Sequence, residues 1–431
     1  MMQDWFKKAK LGIFIHWGIY AVKGVSESWS FHNGYIDYDE YMDQAKGFTA
    51  ANYDPEKWAE LFKEAGARYA VLTTKHHDGF CLWDTDLTDH NSVDGAPAKT
   101  DLIGPYAEAI RNAGLKVGMY YSLTDWSRED YRSIYSAETD EKDYAKQNKY
   151  ETPAGGPEDY EAWERHLELN NEAMKELMTR YGTVDLLWFD GDWERTAEQW
   201  KMPEFRKLLH ELNPNVVLNS RLRGYGDYKT PEVGMPIVAP EGVWELCVPI
   251  NNSWGYQHRD VYWKSSREVI RLFVDCLTLG GNLLLDIGPM EDGTIPEQEV
   301  KVLKDLGSWI KDNEEAIYDT KAGIGYDLFL GGSTVSEDNK TIYLFVHDRP
   351  VESVVLKGLI SEVENISLLH NGKKLSAKLT GGSPYMGVPG TWWINLTEED
   401  CHEIGSTVIK IELKEPLELY RGEGKVISFN E

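Results

Sequence analysis

The stretch Val184-Asp185-Leu186-Leu187-Trp188-Phe189-Asp190-Gly191-Asp192-Trp193 decides how this chain folds. Leu186 to Phe189 is too continuously apolar for a strand with one face in water. It suits a strand covered on both faces, as in a parallel sheet wrapped by helices. The run empties into carboxylates set between two tryptophans. In sheets of this kind functional side chains sit beyond the carboxyl ends of the strands, so Asp190 stands where an acid or a nucleophile would be presented, beside indoles that exclude water and raise a carboxyl's pKa. Taken alone, it reads equally well as the N-cap of the next helix.

Working outward, short apolar strands alternate with amphipathic helices through about residue 320. Strands are expected at 11–16, 69–74, 116–121, 184–189, 216–219 and 282–287, with 244–248 a weaker candidate. Helices are expected at 55–65, 106–113, 160–180, 197–212, 266–279 and 297–313, and glycines follow two of them at Gly66 and Gly114. That rhythm is a series of βαβ units. Nearly every strand ends in polar or aromatic residues: His16-Trp17, Lys75-His76-His77-Asp78, Ser122, Asp190 and Ser220-Arg221. A (β/α) barrel gathers such residues on one rim. An open doubly wound sheet would place a glycine-rich phosphate loop after its first strand, and Ile13-Phe14-Ile15-His16-Trp17-Gly18 is not one.

After Gly325 the texture changes. The segments 341–346, 353–356 and 408–413 read as strands, with turns at Asn371-Gly372 and Gly381-Gly382, and together they predict a small β-sandwich. The expected organisation is therefore a barrel over residues 1–322 and a sandwich over 323–431. The sandwich is expected to be a packing appendage, with Trp392-Trp393 as its one feature suited to carbohydrate.

The chain has 431 residues and a formal net charge of −27, which makes nucleic acid and anionic membrane surfaces poor partners. Its 16 Trp and 24 Tyr supply flat amphipathic rings that suit a carbohydrate cleft as well as a large core. Cys81, Cys247, Cys276 and Cys401 are widely spaced and read as buried free thiols of a reducing compartment. No apolar leader follows Met1 and no uncharged apolar run approaches about 18 residues. A cytoplasmic protein is expected, as a monomer or a homo-oligomer.

His76 and His77 follow the second strand. Adjacent strand residues point to opposite faces, so the pair is badly placed to chelate one ion, and no metal or other cofactor is called for. Neutral imidazoles instead donate and accept hydrogen bonds to hydroxyls, and His16 is placed to do likewise. Without a serine elbow or a reactive-cysteine context, the carboxylates and aromatics of the rim favour glycoside hydrolysis, which needs two carboxyl groups. Asp190 is one. The second is expected from a later loop, where Glu232, Glu241 and Glu245 compete.

Read together, Gly12-Ile13-Phe14-Ile15-His16-Trp17-Gly18, Thr74-Lys75-His76-His77-Asp78-Gly79-Phe80, Trp188-Phe189-Asp190-Gly191, Asn219-Ser220-Arg221, Trp244-Glu245-Leu246-Cys247, Ser253-Trp254-Gly255-Tyr256 and Gly281-Asn282-Leu283-Leu284-Leu285 resemble the retaining α-L-fucosidases of glycoside hydrolase family 29, over about residues 1–320. The resemblance implies a distorted barrel, a C-terminal sandwich, no metal, and an exo-acting double displacement on fucosylated oligosaccharides or glycoconjugates. It makes Asp190 the nucleophile and puts the acid/base on a variable loop, where Glu232 matches best and Glu245 second. It makes His16, His76 and His77 ligands of the sugar hydroxyls, places Tyr121, Trp188 and Arg221 in the sugar pocket, and sets Trp254 against the methyl group. Where many members read Ser-Glu-Trp-Tyr, this chain has Ser26-Glu27-Ser28-Trp29-Ser30; with Trp29 as the anchor, Ser28 replaces the family's glutamate and Glu27 points elsewhere. Leaving-group contacts are expected from loops such as 127–157. A hydrolase for a related sugar, such as an α-L-galactoside, and a non-catalytic fucose-binding protein are the competing expectations.

Overall fold

A computed structural model describes residues 2–132, 150, 158–348 and 353–424. Among them seven strands form one sheet: β1 (Leu11–Ile15), β2 (Tyr69–Lys75), β3 (Lys116–Ser122), β4 (Leu186–Asp190), β5 (Val217–Leu218), β6 (Glu245–Pro249) and β7 (Asn282–Ile287). Their order is β5-β4-β3-β2-β1-β7-β6. Each strand lies beside its neighbour in sequence, and β7 lies beside β1, so the order is the cyclic one of a barrel opened between β5 and β6. A doubly wound sheet would reverse direction at a switch point. β1 to β5 pair in parallel, and every residue of β1, β2, β4, β6 and β7 is buried, as the continuous apolar runs predict.

The helices between strands are Pro55–Glu64, Ile103–Asn112, Tyr160–Arg180, Met202–Leu212, Ser266–Leu279 and Glu297–Asn313. Two begin elsewhere than expected, for local reasons. The Asp101 carboxylate accepts from the amides of Ile103 and Gly104, so the first of these starts at Ile103 rather than Tyr106, with Pro105 tolerated in its first turn. The other starts at Met202 rather than Ala197, because Pro203 can only sit in a first turn and Lys201 before it is left-handed, with φ 51°.

Rings fill the sheet's concave side. Phe14, Tyr69, Tyr120, Trp188 and Tyr228 pack together with Phe6 from the N-terminal helix Asp4–Lys7. Gly12 makes room for one of them: a Cβ there would lie 2.3 Å from the Tyr69 ring.

Compactness divides the chain into one unit of Met1–Gly234, Pro240–Trp263 and Leu284–Leu303 and a second of Met235–Ala239, Lys264–Leu283 and Lys304–Glu431. The second unit holds antiparallel strands β8 (Thr320–Ala322), β9 (Gly332–Ser336), β10 (Thr341–Val346), β11 (Ser353–Leu356), β12 (Val363–Leu368), β13 (Ala377–Thr380), β14 (Thr391–Asn395) and β15 (Thr407–Leu413). They form a five-stranded sheet, β12-β15-β10-β9-β8, and a three-stranded sheet, β11-β14-β13. Ile342, Leu344, Ile409 and Ile411 of the first meet Val354, Leu356 and Ile394 of the second in a common apolar core, which makes a sandwich. Helix Ser266–Leu279 packs on β9, where Thr278 accepts from the Ser333 amide at 2.9 Å. Trp392 packs against the sandwich core, while Trp393 is 40% exposed. Cys81, Cys247 and Cys276 are buried free thiols as expected, but Cys401 is only partly covered.

Two stability predictions follow from this packing. Gly12→Ala should destabilise the protein by about 1–3 kcal/mol, the cost of overpacking, as a lowered urea midpoint; an unchanged midpoint would show that Tyr69 yields freely. His166 is fully buried, and its Nε2 donates to the Leu123 carbonyl at 2.8 Å. Burial, assisted by the charge of Lys75, holds the imidazole down to about 3. The unfolded chain takes up that proton near pH 6.5, so between pH 6.5 and 3 folding excludes one proton and His166 costs about 1.4 kcal/mol of stability for each pH unit of acidification. In His166→Gln the fall of unfolding free energy between pH 6 and 4 should be shallower by that slope, and parallel curves would refute the assignment.

Candidate active site

The carboxyl ends of the parallel strands converge on one cavity of about 270 Å³, lined by Phe14, His16, Trp29, His76, Tyr120, Trp188, Asp190, Trp193, Arg221, Glu232 and Trp254. That is room for a single sugar ring. Every lining residue belongs to the first compact unit. Strand register explains the grouping: β3 and β4 pair Tyr120 with Trp188 and Ser122 with Asp190, so these four share a face.

Asp190 is the last residue of β4 and is 9% exposed. Its Oδ1 accepts from Arg221 Nη1 at 2.6 Å, and its Oδ2 accepts from the Tyr120 hydroxyl at 3.1 Å. His77 Nε2 stands 3.4 Å from the same Oδ2, too far for a strong hydrogen bond but close enough for its charge state to matter. Burial opposes ionisation, yet the Arg221 guanidinium and the His77 imidazole outweigh it and hold the Asp190 carboxyl well below the usual carboxylate range. The neighbouring indoles therefore do not raise its pKa, as their position in the sequence suggested; a buried cation in direct contact dominates. Nor is Asp190 a helix cap, because its carboxylate is committed to Arg221 and Tyr120.

Arg221 follows β5, and its Nη2 bonds the Glu232 carboxylate. Its guanidinium stacks 4.8 Å from the centroid of the Trp188 ring. Glu232 lies on a segment that runs beside β6: the Cys247 amide donates to the Pro231 carbonyl at 3.2 Å and the Val233 amide to the Cys247 carbonyl at 2.9 Å. This segment docks where the sheet is open, since β5 spans only two residues. Val233, just after Glu232, is left-handed with φ 59°, a strained setting for a β-branched residue. The Glu232 side chain is 38% exposed.

Glu245 is elsewhere. It is fully buried and is not among the cavity's lining residues. Its carboxylate accepts from Trp188 Nε1 at 3.0 Å, from the Tyr228 hydroxyl at 3.2 Å and from the Tyr69 hydroxyl. Arg221 is not its partner either, since that guanidinium bonds Asp190 and Glu232.

His16 and His76 are held neutral. His16 Nδ1 lies 2.7 Å from Asp286 Oδ1; the carboxylate accepts, so Nδ1 carries the hydrogen and Nε2 is left as an acceptor. Burial holds His16 down to about 3, with the Asp190 charge opposing and His77 and Arg221 assisting. Burial and the imidazoles of His77 and His16 keep His76 well below its ordinary value. His76 and His77 do not diverge as strand neighbours would, because β2 ends at Lys75; their ring centroids are 4.5 Å apart. His77 is fully buried beneath the cavity, with Nδ1 2.5 Å from Thr124 Oγ1.

Tyr121 is misplaced by one residue in the sequence reading. Its hydroxyl donates to Asn170 of helix Tyr160–Arg180 at 2.8 Å, so it faces the helix layer, and Tyr120 lines the cavity instead. The parity of β3, in which Tyr120 and Ser122 fall on one face, is the signal that finds it. Phe14 and Trp193 also line the cavity, and Trp193 stacks on Trp29 with ring planes 19° apart. Ser28 Oγ lies 2.6 Å from His76 Nδ1. Glu27 does point elsewhere: its buried carboxylate accepts from the Gly255 amide at 2.5 Å, next to Trp254. Most of the loop 127–157 lies outside the described residues. Among the described residues, no helix is long and apolar enough to cross a membrane.

A family model for α-L-fucosidases matches residues 1–315. Tissue α-L-fucosidase of Rattus norvegicus is 34% identical over 346 residues, covering 74% of this chain and 70% of its own. The solved structure of α-L-fucosidase isoenzyme 1 from Paenibacillus thiaminolyticus superposes with a TM-score of 0.84 at 34% identity, covering 96% of this chain and 98% of that one. A family 29 α-L-fucosidase from Bacteroides thetaiotaomicron, trapped as a covalent intermediate with 2-fluoro-fucosyl fluoride, superposes with a TM-score of 0.81 at 28% identity, covering 95% of each chain. With its interrupted barrel, its C-terminal sandwich and these relatives, the chain belongs to the α-L-fucosidases of glycoside hydrolase family 29.

Proposed function

We propose that the protein releases terminal α-L-fucose from fucosylated oligosaccharides or glycoconjugates by double displacement, with Asp190 as nucleophile and Glu232 as acid/base. The catalytic work falls within residues 1–322, and residues 323–431 serve as a packing appendage. The observation that carries this reading is the ionised Asp190 at the edge of a sugar-sized cavity, tied through one guanidinium to an exposed second carboxylate. In the first step an Asp190 oxygen bonds to the anomeric carbon as the glycosidic bond breaks, and the departing oxygen takes the Glu232 proton. In the second, Glu232 removes a proton from water, which displaces Asp190 and restores the original configuration. Two carboxylates sharing one arginine suit the separation of about 5–5.5 Å used by retaining enzymes better than the wider gap that inverting enzymes leave for water. The trapped intermediate of the Bacteroides relative supports the same chemistry.

The two carboxylates differ as their roles require. Asp190, against Arg221, stays ionised and able to attack. Glu232 is half-open to solvent, where it can lose and regain a proton in each cycle, whereas the buried Glu245 has no route to the leaving group. His16 and His76, held neutral, can accept from sugar hydroxyls as well as donate to them. Phe14 and Trp254, with centroids 6.2 Å apart, form an apolar wall for the C6 methyl, a contact worth about 0.8 kcal/mol. An α-L-galactoside would press a hydroxyl against that wall, which favours fucose. A purely binding role would have no use for an ionised nucleophile paired with a second carboxylate.

Asp190→Ala should lower turnover of an aryl α-L-fucoside by several orders of magnitude while the thermal midpoint holds; near-normal turnover would remove Asp190 from the mechanism. Glu232→Ala, assayed on a fucoside with a good leaving group, should regain activity with azide, which takes the place of water and yields α-L-fucosyl azide. Failure of azide to act on Glu232→Ala, together with rescue of Glu245→Ala, would reverse the assignment of the acid/base.

A further inference from the structure

Glu245 has a role that its exclusion from the cavity leaves unexplained. A fully buried carboxylate is costly unless its oxygens are satisfied, and here three donors from three parts of the chain converge on it: Tyr69 at the start of β2, Trp188 within β4, and Tyr228 in the segment before β6. Burial pushes the carboxyl up to about 7, with those three donors pulling it back. The Trp188 bond bears on the active site. One part of that indole lines the cavity and its Nε1 end is fastened to Glu245, so the plane of the ring is set from below.

Arg221 stacks on that ring and bonds both Asp190 and Glu232. A guanidinium lying on an aromatic face follows the plane of the face. We propose that Glu245 is a positioning residue: by accepting from Trp188 Nε1 it fixes the indole plane on which Arg221 lies, and so fixes the mutual placement of the two catalytic carboxylates. It transfers no proton and touches no substrate. This proposal rests on the fucosidase reading given above, and its test separates the two.

The role requires an acceptor, not a charge or a proton. Gln at 245 keeps an oxygen for Trp188 Nε1 and Tyr228, and turns its amide nitrogen to the Tyr69 hydroxyl, which can accept. Met at 245 keeps the bulk but leaves the indole N–H buried without a partner. Steady-state kinetics on an aryl α-L-fucoside, with thermal midpoints for every variant, should give the following. Wild type turns over, and without that the fucosidase reading itself fails. Glu245→Met loses about 10- to 100-fold in kcat, the scale of an orphaned buried donor, with KM changed less than about 3-fold. Glu245→Gln retains at least about a third of wild-type kcat. Trp188→Phe, which keeps a ring but removes the donor, loses a comparable factor, and Glu245→Met added to it costs no more than about 2-fold further in kcat, because the bond that fixes the indole plane is already gone; the Tyr69 and Tyr228 hydroxyls that Met also leaves without an acceptor lower the thermal midpoint rather than kcat.

A Glu245→Gln variant as inactive as Glu245→Met would overturn the proposal in favour of proton transfer. Full multiplication of the Glu245→Met and Trp188→Phe losses would overturn it in favour of independent effects. If Glu245→Met does not fold, wild-type kcat in Trp188→Phe still refutes it.

Discussion

One guanidinium organises this protein. Arg221 bonds Asp190 through one nitrogen and Glu232 through the other, and lies on the face of Trp188. Those contacts set the charge state of Asp190, the distance between the carboxylates, and the floor of the cavity. The rest of the barrel can be understood as what keeps that cation in place. The sheet interrupts its closure at the two-residue strand β5, which lets Arg221 turn inward just beyond it and lets the Glu232 segment dock along β6. A fully closed barrel would leave less room for either.

Around the arginine, polar groups are kept neutral or firmly charged by burial and contact. His16 is backed by Asp286, and its remaining nitrogen is free to accept a hydrogen bond. His76 is paired with Ser28 and stacked on Tyr120, with ring planes 7° apart. A protonated imidazole at either position would compete with Arg221 for Asp190 and weaken that ion pair. Their depressed proton affinity is thus part of how the site keeps one cation in charge of two anions. It also carries a cost, since each buried neutral histidine makes the fold more sensitive to acid.

Much of this was legible in the sequence because it depends on pattern. Continuous apolar runs marked the buried parallel strands, and nearly all were found within a residue or two of their place. Helix starts were less legible, since Asp101 and Pro203 set two of them away from the favourable runs at Tyr106 and Ala197. The site histidines, Asp190 and Arg221 were visible as strand-end residues of one rim, whereas Trp254 was marked only by the family resemblance. Tyr121 was misjudged because two adjacent tyrosines differ only in parity, and parity along β3 is fixed by its register with β4. Glu245 was drawn toward the chemistry by its place in the motif Trp244-Glu245-Leu246-Cys247, while its hydroxyl and indole donors come from Tyr69, Trp188 and Tyr228, far apart in the chain.

The sequence by itself determined the class of fold, the rim on which the site lies, and Asp190 as its carboxylate, since strand period, composition and strand-end chemistry are local properties. Only the tertiary structure decided between Tyr120 and Tyr121, showed that Asp190 is held low rather than raised, and separated the exposed Glu232 from the buried Glu245. Each of those depends on which side chains meet across strands, and on how much water and charge reach them there. Both are consequences of packing between distant segments, which no window of sequence contains.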